Sequence, residues 1–178
     1  SDIFEEGGMP YKPFHGGFGL LNLQGIPKAS YRAFQLLNKL GDERYVRAGA
    51  QGTVDVYGVR KNACQAVQFL AVNHHSLLHE IREEEIEIRA APVKAAVERL
   101  DEAHGNALAC WQGMGEPDYP DRAQLALLEA ASYTKEETME INDGTITLTL
   151  PPMGAALITM IYNENRVRTY RQQRKPVC

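Results

Sequence analysis

The chain has 178 residues, and its 44% apolar and 24% charged content is typical of a globular protein. Lys and Arg total 19 against 23 Asp and Glu, and the net charge of −4 argues against a nucleic-acid partner. The longest apolar run, residues 154–162, is too short to cross a bilayer, and no signal peptide opens the chain, so we expect no membrane partner.

The cysteines Cys64, Cys110 and Cys178 are odd in number and lack CxxC spacing. Neither a disulfide framework nor a structural zinc site is therefore expected. Reduced thiols favour a cytoplasmic location.

Residues 1–41 predict a strand, a long loop and an amphipathic helix. Ile3 and Phe4 end the strand, a loop rich in Gly and aromatic residues follows, and Pro27 suits the first turn of a helix. The apolar residues of this helix recur at spacings of three: Tyr31, Phe34, Leu37 and Leu40. One such β/α unit cannot bury its own apolar stripe, so the helix is expected to need a partner.

Residues 42–162 predict a mainly β fold. Strand patterns occur at 54–57, 66–72, 84–89, 108–111, 146–150 and 156–161. Residues 142–144, preceded by Met139 and Ile141, predict a tight hairpin. One short helix is predicted at 121–132, with Asp121 as its N-cap. Many short strands separated by turns indicate an antiparallel β-sandwich. The basic residues 163–178 are expected to form a poorly ordered tail.

Few residues suggest chemistry on their own. Glu5 and Glu6 follow a strand end, where β/α proteins place functional side chains, but on the residues alone solvated carboxylates are the favoured explanation. The histidines His74, His75 and His79 are interpreted as loop residues rather than metal ligands. Trp111, the only tryptophan, is expected to pack in the core or at its edge, although an exposed ring would stack on a sugar.

Several segments together resemble glycoside hydrolase family 39, the β-xylosidase family. They are FEE at 4–6, FHGGFGLL at 14–21, GIPK at 25–28, AFQLL at 33–37, LDEAHGN at 100–106, WQGMG at 111–115 and LPPMG at 150–154. Enzymes of this family are retaining glycosidases with a (β/α)₈ barrel and a β-sandwich, and they hydrolyse xylosides without a metal or organic cofactor. The resemblance covers about residues 1–162.

The resemblance implies a C-terminal fragment of a retaining β-xylosidase. Residues 1–41 would be the last β/α unit of the barrel, 42–162 the sandwich domain and 163–178 the tail. Glu5 and Glu6 match the family's Phe-Glu-Glu strand end and are the predicted substrate-binding residues. The catalytic acid/base and nucleophile are expected upstream of Ser1, so no catalytic residue is assigned and the chain alone is expected to be inactive.

The expected partners are a xyloside or xylo-oligosaccharide in the full-length enzyme and, for the helix of residues 28–40, the missing barrel portion or a second copy of the chain. Two other classes of function stay open. The chain would be a carbohydrate-binding sandwich if Trp111, Tyr119 or Tyr133 formed an exposed platform, or a structural module that braces the barrel.

Overall fold

The structure, a computed structural model, describes residues 12–14, 16, 19–61, 66–89 and 92–162. Glu5, Glu6, Cys64, Cys178 and the basic tail lie outside these residues, as does the predicted strand end at Ile3 and Phe4. The helices are α1 (Ala29–Lys39), α2 (Ala107–Gly113) and α3 (Arg122–Ala131). The strands are β1 (Glu43–Gln51), β2 (Val54–Lys61), β3 (Ala66–Asn73), β4 (Glu84–Arg89), β5 (Lys94–Leu100), β6 (Glu136–Thr138), β7 (Thr145–Leu150) and β8 (Ala155–Ile161).

The chain divides into two compact units. The first, here called the helical unit, consists of Ser1–Lys39 and Arg99–Lys135, and the second, the sheet unit, consists of Leu40–Glu98 and Glu136–Cys178. Residues 99–135 therefore cluster with the N-terminal segment, although they lie between strands in the sequence.

The sheet unit is built from antiparallel strand pairs, so the fold is mainly β as predicted. Six strands form one sheet in the order β1-β2-β3-β8-β5-β6, and β4 pairs with β7 in a second sheet. Both sheets contribute to one core, in which Ile86 and Ile146 lie with Val54 and Ile158. Two sheets around a shared apolar core are the arrangement of a β-sandwich.

Strand burial follows the alternation in the sequence. In β7, Ile146, Leu148 and Leu150 are buried, and the threonines between them are exposed, which places the apolar side chains on one face. Strands predicted at 54–57, 66–72, 84–89, 146–150 and 156–161 are confirmed. The sequence analysis missed β1, β5 and β6. Strand β5 is almost continuously buried, so it has no two-residue alternation to detect.

Of the predicted hairpin only the turn at Asn142-Asp143-Gly144 is confirmed, because Met139 and Ile141 do not lie in a strand. Asp143 and Gly144 have φ of 49° and 74°, the pair of left-handed conformations that a type I′ turn requires. Asn142 and Thr145 exchange two backbone hydrogen bonds of 3.0 and 2.8 Å. The preceding strand β6, however, pairs with β5 rather than with β7.

The prediction of a strand at 108–111 and of a single inserted helix is wrong, because this segment forms α2. The Asn106 side chain accepts a hydrogen bond of 3.1 Å from the Leu108 amide and so caps the helix. Ala107 and Trp111, four residues apart, lie buried on one face. Helix α3 is confirmed, with Asp121 and Gln124 forming a capping box.

Helix α1 is confirmed, but its buried face differs from the predicted one. The buried residues are Arg32 and Leu36, again four residues apart. Phe34 and Leu37, from the predicted stripe, are 61% and 49% exposed. These two side chains are therefore largely exposed in this chain, and the expectation that the helix needs a partner stays a prediction.

Candidate functional site

The two predicted substrate-binding residues, Glu5 and Glu6, lie outside the described residues, so the site is approached through the segment that follows them. That segment, described at 12–14, 16 and 19–28, belongs to the helical unit and leads into α1. Its geometry shows what holds the chain next to the predicted sugar contacts.

The turn at residues 20–28 is organised by Asn22, which is 3% exposed. Its Oδ1 accepts hydrogen bonds from the backbone amides of Gln24 at 3.0 Å and Ile26 at 2.8 Å. The chain then closes on itself, because the Lys28 amide donates to the Leu20 carbonyl at 2.9 Å. The sequence analysis missed Asn22, and an Asn three residues before a Gly was the available signal for such a turn.

Two residues of this turn stand out, Gly25 by its positive φ and Lys28 by the lowered pKa of its side chain. Gly25 has a φ of 79°, a conformation that side chains other than glycine disfavour. Lys28 is partly buried, and burial lowers the pKa of its ammonium group from the ordinary value of 10.5.

An apolar cluster fastens the segment to α2 and α3. Phe14 lies against Trp111, with ring centroids 5.6 Å apart and planes tilted by 47°. Ile26 packs in the same cluster as Trp111 and Leu128, all of them buried. The indole Nε1 donates to the Pro117 carbonyl at 3.0 Å, so the polar edge of the ring is satisfied as well.

Trp111 is thus a core residue, as expected, and it offers no platform to a sugar. At 3% exposure its ring faces are covered. Of the other two aromatic candidates, Tyr119 is 94% exposed and Tyr133 is 50% exposed.

Arg32 links α1 to the end of α3. Its Nε donates to the Ser132 carbonyl at 2.5 Å, its Nη2 to the Ser132 hydroxyl at 3.1 Å, and its Nη1 to the Gln35 side chain at 2.6 Å. The Tyr133 ring stacks on the guanidinium at 4.3 Å. A cation at the C-terminal end of a helix is favourable, because the carbonyls there carry partial negative charge.

The Asp101-His104-Asn106 stretch, part of the family resemblance, orders the turn before α2. Asp101 Oδ1 accepts from the backbone amides of Ala103 and His104 at 2.9 and 3.0 Å, and lies 2.7 Å from His104 Nδ1. Gly105 has a φ of 67° and lies against Thr134, where a Cβ atom would come within 2.7 Å of the threonine methyl group. These contacts give the motif a structural role in ordering this turn.

His74 and His75 lie in the loop after β3, as predicted, whereas His79 lies in a short 3₁₀ helix. His74 Nε2 lies 3.0 Å from Asp55 Oδ2, and His75 Nδ1 lies 3.4 Å from Glu80 Oε2. This 3₁₀ helix spans Leu78–Glu80. Within the described residues no three His, Cys, Asp or Glu side chains converge as metal ligands. None of the helices in that part of the chain combines the length and apolar character needed to cross a membrane.

The sequence profile of Glycosyl hydrolases family 39 matches residues 1–147. The chain therefore belongs to glycoside hydrolase family 39. It is 37% identical over 169 residues to a β-xylosidase of Caldicellulosiruptor saccharolyticus, covering 90% of this chain and 34% of that protein. A β-xylosidase of Geobacillus stearothermophilus is 33% identical over 153 residues, covering 84% of this chain and 30% of that protein.

A solved structure gives the same result. The family-39 β-xylosidase from Caulobacter crescentus superposes with a TM-score of 0.70 at 28% identity, covering 90% of this chain and 33% of its own. The chain spans about a third of the length of these relatives. It corresponds to a C-terminal portion of a family-39 β-xylosidase.

Proposed function

We propose that the chain works as the C-terminal part of a retaining β-xylosidase that acts on xylosides or xylo-oligosaccharides. The observation that supports this is the family match over residues 1–147, together with β-xylosidase relatives of which the chain spans about a third. In this proposal residues 1–41 are the last β/α unit of a barrel, residues 42–162 are the accessory sandwich domain and residues 163–178 are a tail. Residues 99–135 are an insertion within the sandwich domain that clusters with the N-terminal segment.

The chemistry of retaining glycosidases indicates which roles belong to this chain and which belong to the rest of the enzyme. They use two carboxylates about 5–5.5 Å apart, one as nucleophile and one as acid/base. We assign both to the remainder of the full-length enzyme and neither to this chain. Glu5 and Glu6 instead accept hydrogen bonds from sugar hydroxyls, which are strong when the acceptor is ionised.

The described contacts support this role for the segment after Glu5 and Glu6. The Asn22 turn and the Phe14–Trp111 contact fix residues 12–28 against α2 and α3. A binding residue needs such a rigid support, because a displacement of about 1 Å is enough to weaken a substrate contact. The proposal includes a cytoplasmic location, for which the free thiol of Cys110 is the supporting observation.

The test is hydrolysis of an aryl β-xyloside by two proteins. One is the isolated 178-residue chain, and the other is a chimera in which this chain replaces the corresponding C-terminal third of the Caldicellulosiruptor saccharolyticus β-xylosidase. We expect no turnover by the isolated chain and turnover by the chimera. In the chimera Glu5→Gln or Glu6→Gln should raise KM, whereas Glu102→Gln, on the turn after β5, is the matched control. Turnover by the isolated chain that either substitution abolishes would refute the assignment.

A carbohydrate-binding module is the second candidate, and the 94% exposure of Tyr119 is the observation that favours it. Pro117 and Pro120 flank this ring and restrict its backbone, which lowers the entropy lost on binding. Calorimetric titration of the isolated chain with xylohexaose, compared with Tyr119→Ala, separates the candidates. Saturable binding that the substitution removes would establish the module.

A further inference from the structure

Helix α3 carries a second apolar surface, opposite the side that is buried. The buried residue of this helix is Leu128. Four apolar residues on the other side are exposed: Ala123, Ala126, Leu127 and Ala130. At 100° per residue these four lie within about 100° of the helix circumference, and their centre is about 150° from Leu128. We call them the outer face of α3, and its largest member, Leu127, is 58% exposed.

Two charged residues flank the outer face of α3 on one side. Arg122 and Glu129 are seven residues apart, so they lie about 20° apart around the helix axis and about 10 Å apart along it. Both are exposed, and neither side chain forms an ion pair with another residue in the described part of the chain. Their order is unfavourable for an isolated helix, because anions are preferred at the N-terminal end and cations at the C-terminal end. The first turn of α3 carries Arg122 without an acidic residue, and the last turn carries Glu129 without a basic one.

A second copy of α3 in antiparallel orientation complements both the charges and the apolar face. When a twofold axis passes near Ala126, Arg122 of one copy lies beside Glu129 of the other, and the same pair forms at the other end. The outer face then meets itself, so that Leu127 of each copy packs among the alanines of the other. Alanine side chains are small enough to let two helices approach to about 8 Å between their axes.

We propose that the outer face of α3 is a self-association surface, on which a second copy of the chain docks with its own α3 antiparallel and with two Arg122–Glu129 ion pairs. The proposal goes beyond glycoside hydrolysis and does not depend on which residues bind the sugar. Helix α3 is only about 15 Å long, so the contact is smaller than the roughly 1,200 Å² of a stable dimer. We therefore expect weak association, with a Kd on the order of 0.1–1 mM.

The first experiment exchanges the two charges and measures association of the 178-residue chain by sedimentation velocity up to about 1 mM protein. Arg122→Glu and Glu129→Arg each place like charges opposite each other and should raise Kd about fivefold or more. The double variant restores opposite charges and should return Kd to within about twofold of the wild-type value. An effect on α3 alone predicts a different order, because Arg122→Glu improves the charge at the helix N-terminus.

The second experiment tests the antiparallel arrangement by disulfide formation, in chains whose three native cysteines are replaced by alanine. Ala126 lies near the proposed twofold axis, where two Cα atoms come within the roughly 4.4–6.8 Å that a disulfide needs. Ala130 lies four residues from the axis, so its two copies are about 12 Å apart along the helices. Under mild oxidation Ala126→Cys should form a cross-linked dimer. Ala130→Cys is the matched control on the same face and should stay monomeric.

Several results would overturn the proposal. A wild-type chain that stays monomeric at about 1 mM would do so, and so would a dimer whose Kd does not respond to the charge variants. Equal cross-linking of Ala126→Cys and Ala130→Cys would refute the antiparallel pairing. In the chimera, protection of Ala126→Cys from a maleimide reagent in a monomeric protein would show that the remainder of the enzyme covers this face instead. A chimera without xylosidase activity would refute the proposed function and leave the self-association surface intact.

Discussion

The Leu128→Ala variant tests the core that holds the candidate site. Leu128 is completely buried in the cluster that contains Ile26 and Trp111. Truncating a fully buried leucine removes its transfer free energy and leaves a cavity, which together cost about 2–5 kcal/mol. We take about 3 kcal/mol, because the partly buried neighbours Met114 and Leu125 leave the site room to relax. At about 2–4 °C per kcal/mol, the expected loss in Tm is about 6–12 °C.

The assay uses the single tryptophan of the chain as a reporter of the helical unit. Trp111 lies in the same cluster as Leu128, so its fluorescence follows the unfolding of this core directly. Circular dichroism of the β-sheet follows the sheet unit in the same samples. The control is Leu127→Ala, the same chemical change one residue earlier on α3, where the side chain is 58% exposed.

We expect Leu127→Ala to change the free energy of unfolding by less than about 0.5 kcal/mol. Equal effects of the two substitutions would show that α3 does not pack as described. A Trp111 fluorescence transition with the same midpoint in Leu128→Ala as in the wild-type chain would likewise refute the placement of Leu128 beside Trp111.

Three further predictions concern single polar contacts. Asn73→Asp replaces the Nδ2 group, which donates to backbone carbonyls at 2.7–3.1 Å, by a carboxyl oxygen. Burial beside these carbonyls raises the pKa of the new carboxyl above its ordinary value of about 3.9, so the variant is most stable below about pH 4, where the protonated group still donates one hydrogen bond. Urea unfolding should show a further loss of about 3 kcal/mol as the pH rises towards 7. Arg32→Lys loses the fork of hydrogen bonds to Ser132 and should cost about 1–3 kcal/mol, and an unchanged urea midpoint would refute the link between α1 and α3. Asp121→Ala removes the cap of α3 and should cost about 1 kcal/mol by thermal unfolding, whereas Asp121→Asn should be nearly neutral.

The residues that hold the candidate site in place are different from the residues proposed to bind the sugar. The contacts that fix residues 12–28 come from α2 and α3, which lie about 80 residues or more further along the sequence. A loss of substrate affinity caused by Leu128→Ala in the chimera would therefore reflect the support of the site, and a loss caused by Glu6→Gln would reflect the proposed contact of Glu6 with the sugar.

The sequence by itself determined the local features that need only neighbouring residues. The alternation in β7 fixes its buried face, Asp121 with Gln124 begins α3, and Asn142-Asp143-Gly144 makes the turn before β7. The long combination of motifs from residue 4 onward also indicated the family, because such a combination rarely arises by chance.

Only the tertiary structure decided the features that depend on distant partners. The apolar run at 108–111 is too short for its periodicity to distinguish a helix from a strand. The Asn106 cap and the contact of Trp111 with Phe14 stabilise the helical form, α2. The buried face of α1 is chosen by Arg32, whose partner Ser132 lies 100 residues away. Hydrophobic pattern reports what a residue type prefers on average, whereas hydrogen bonds and packing across such separations decide which side of an element is covered.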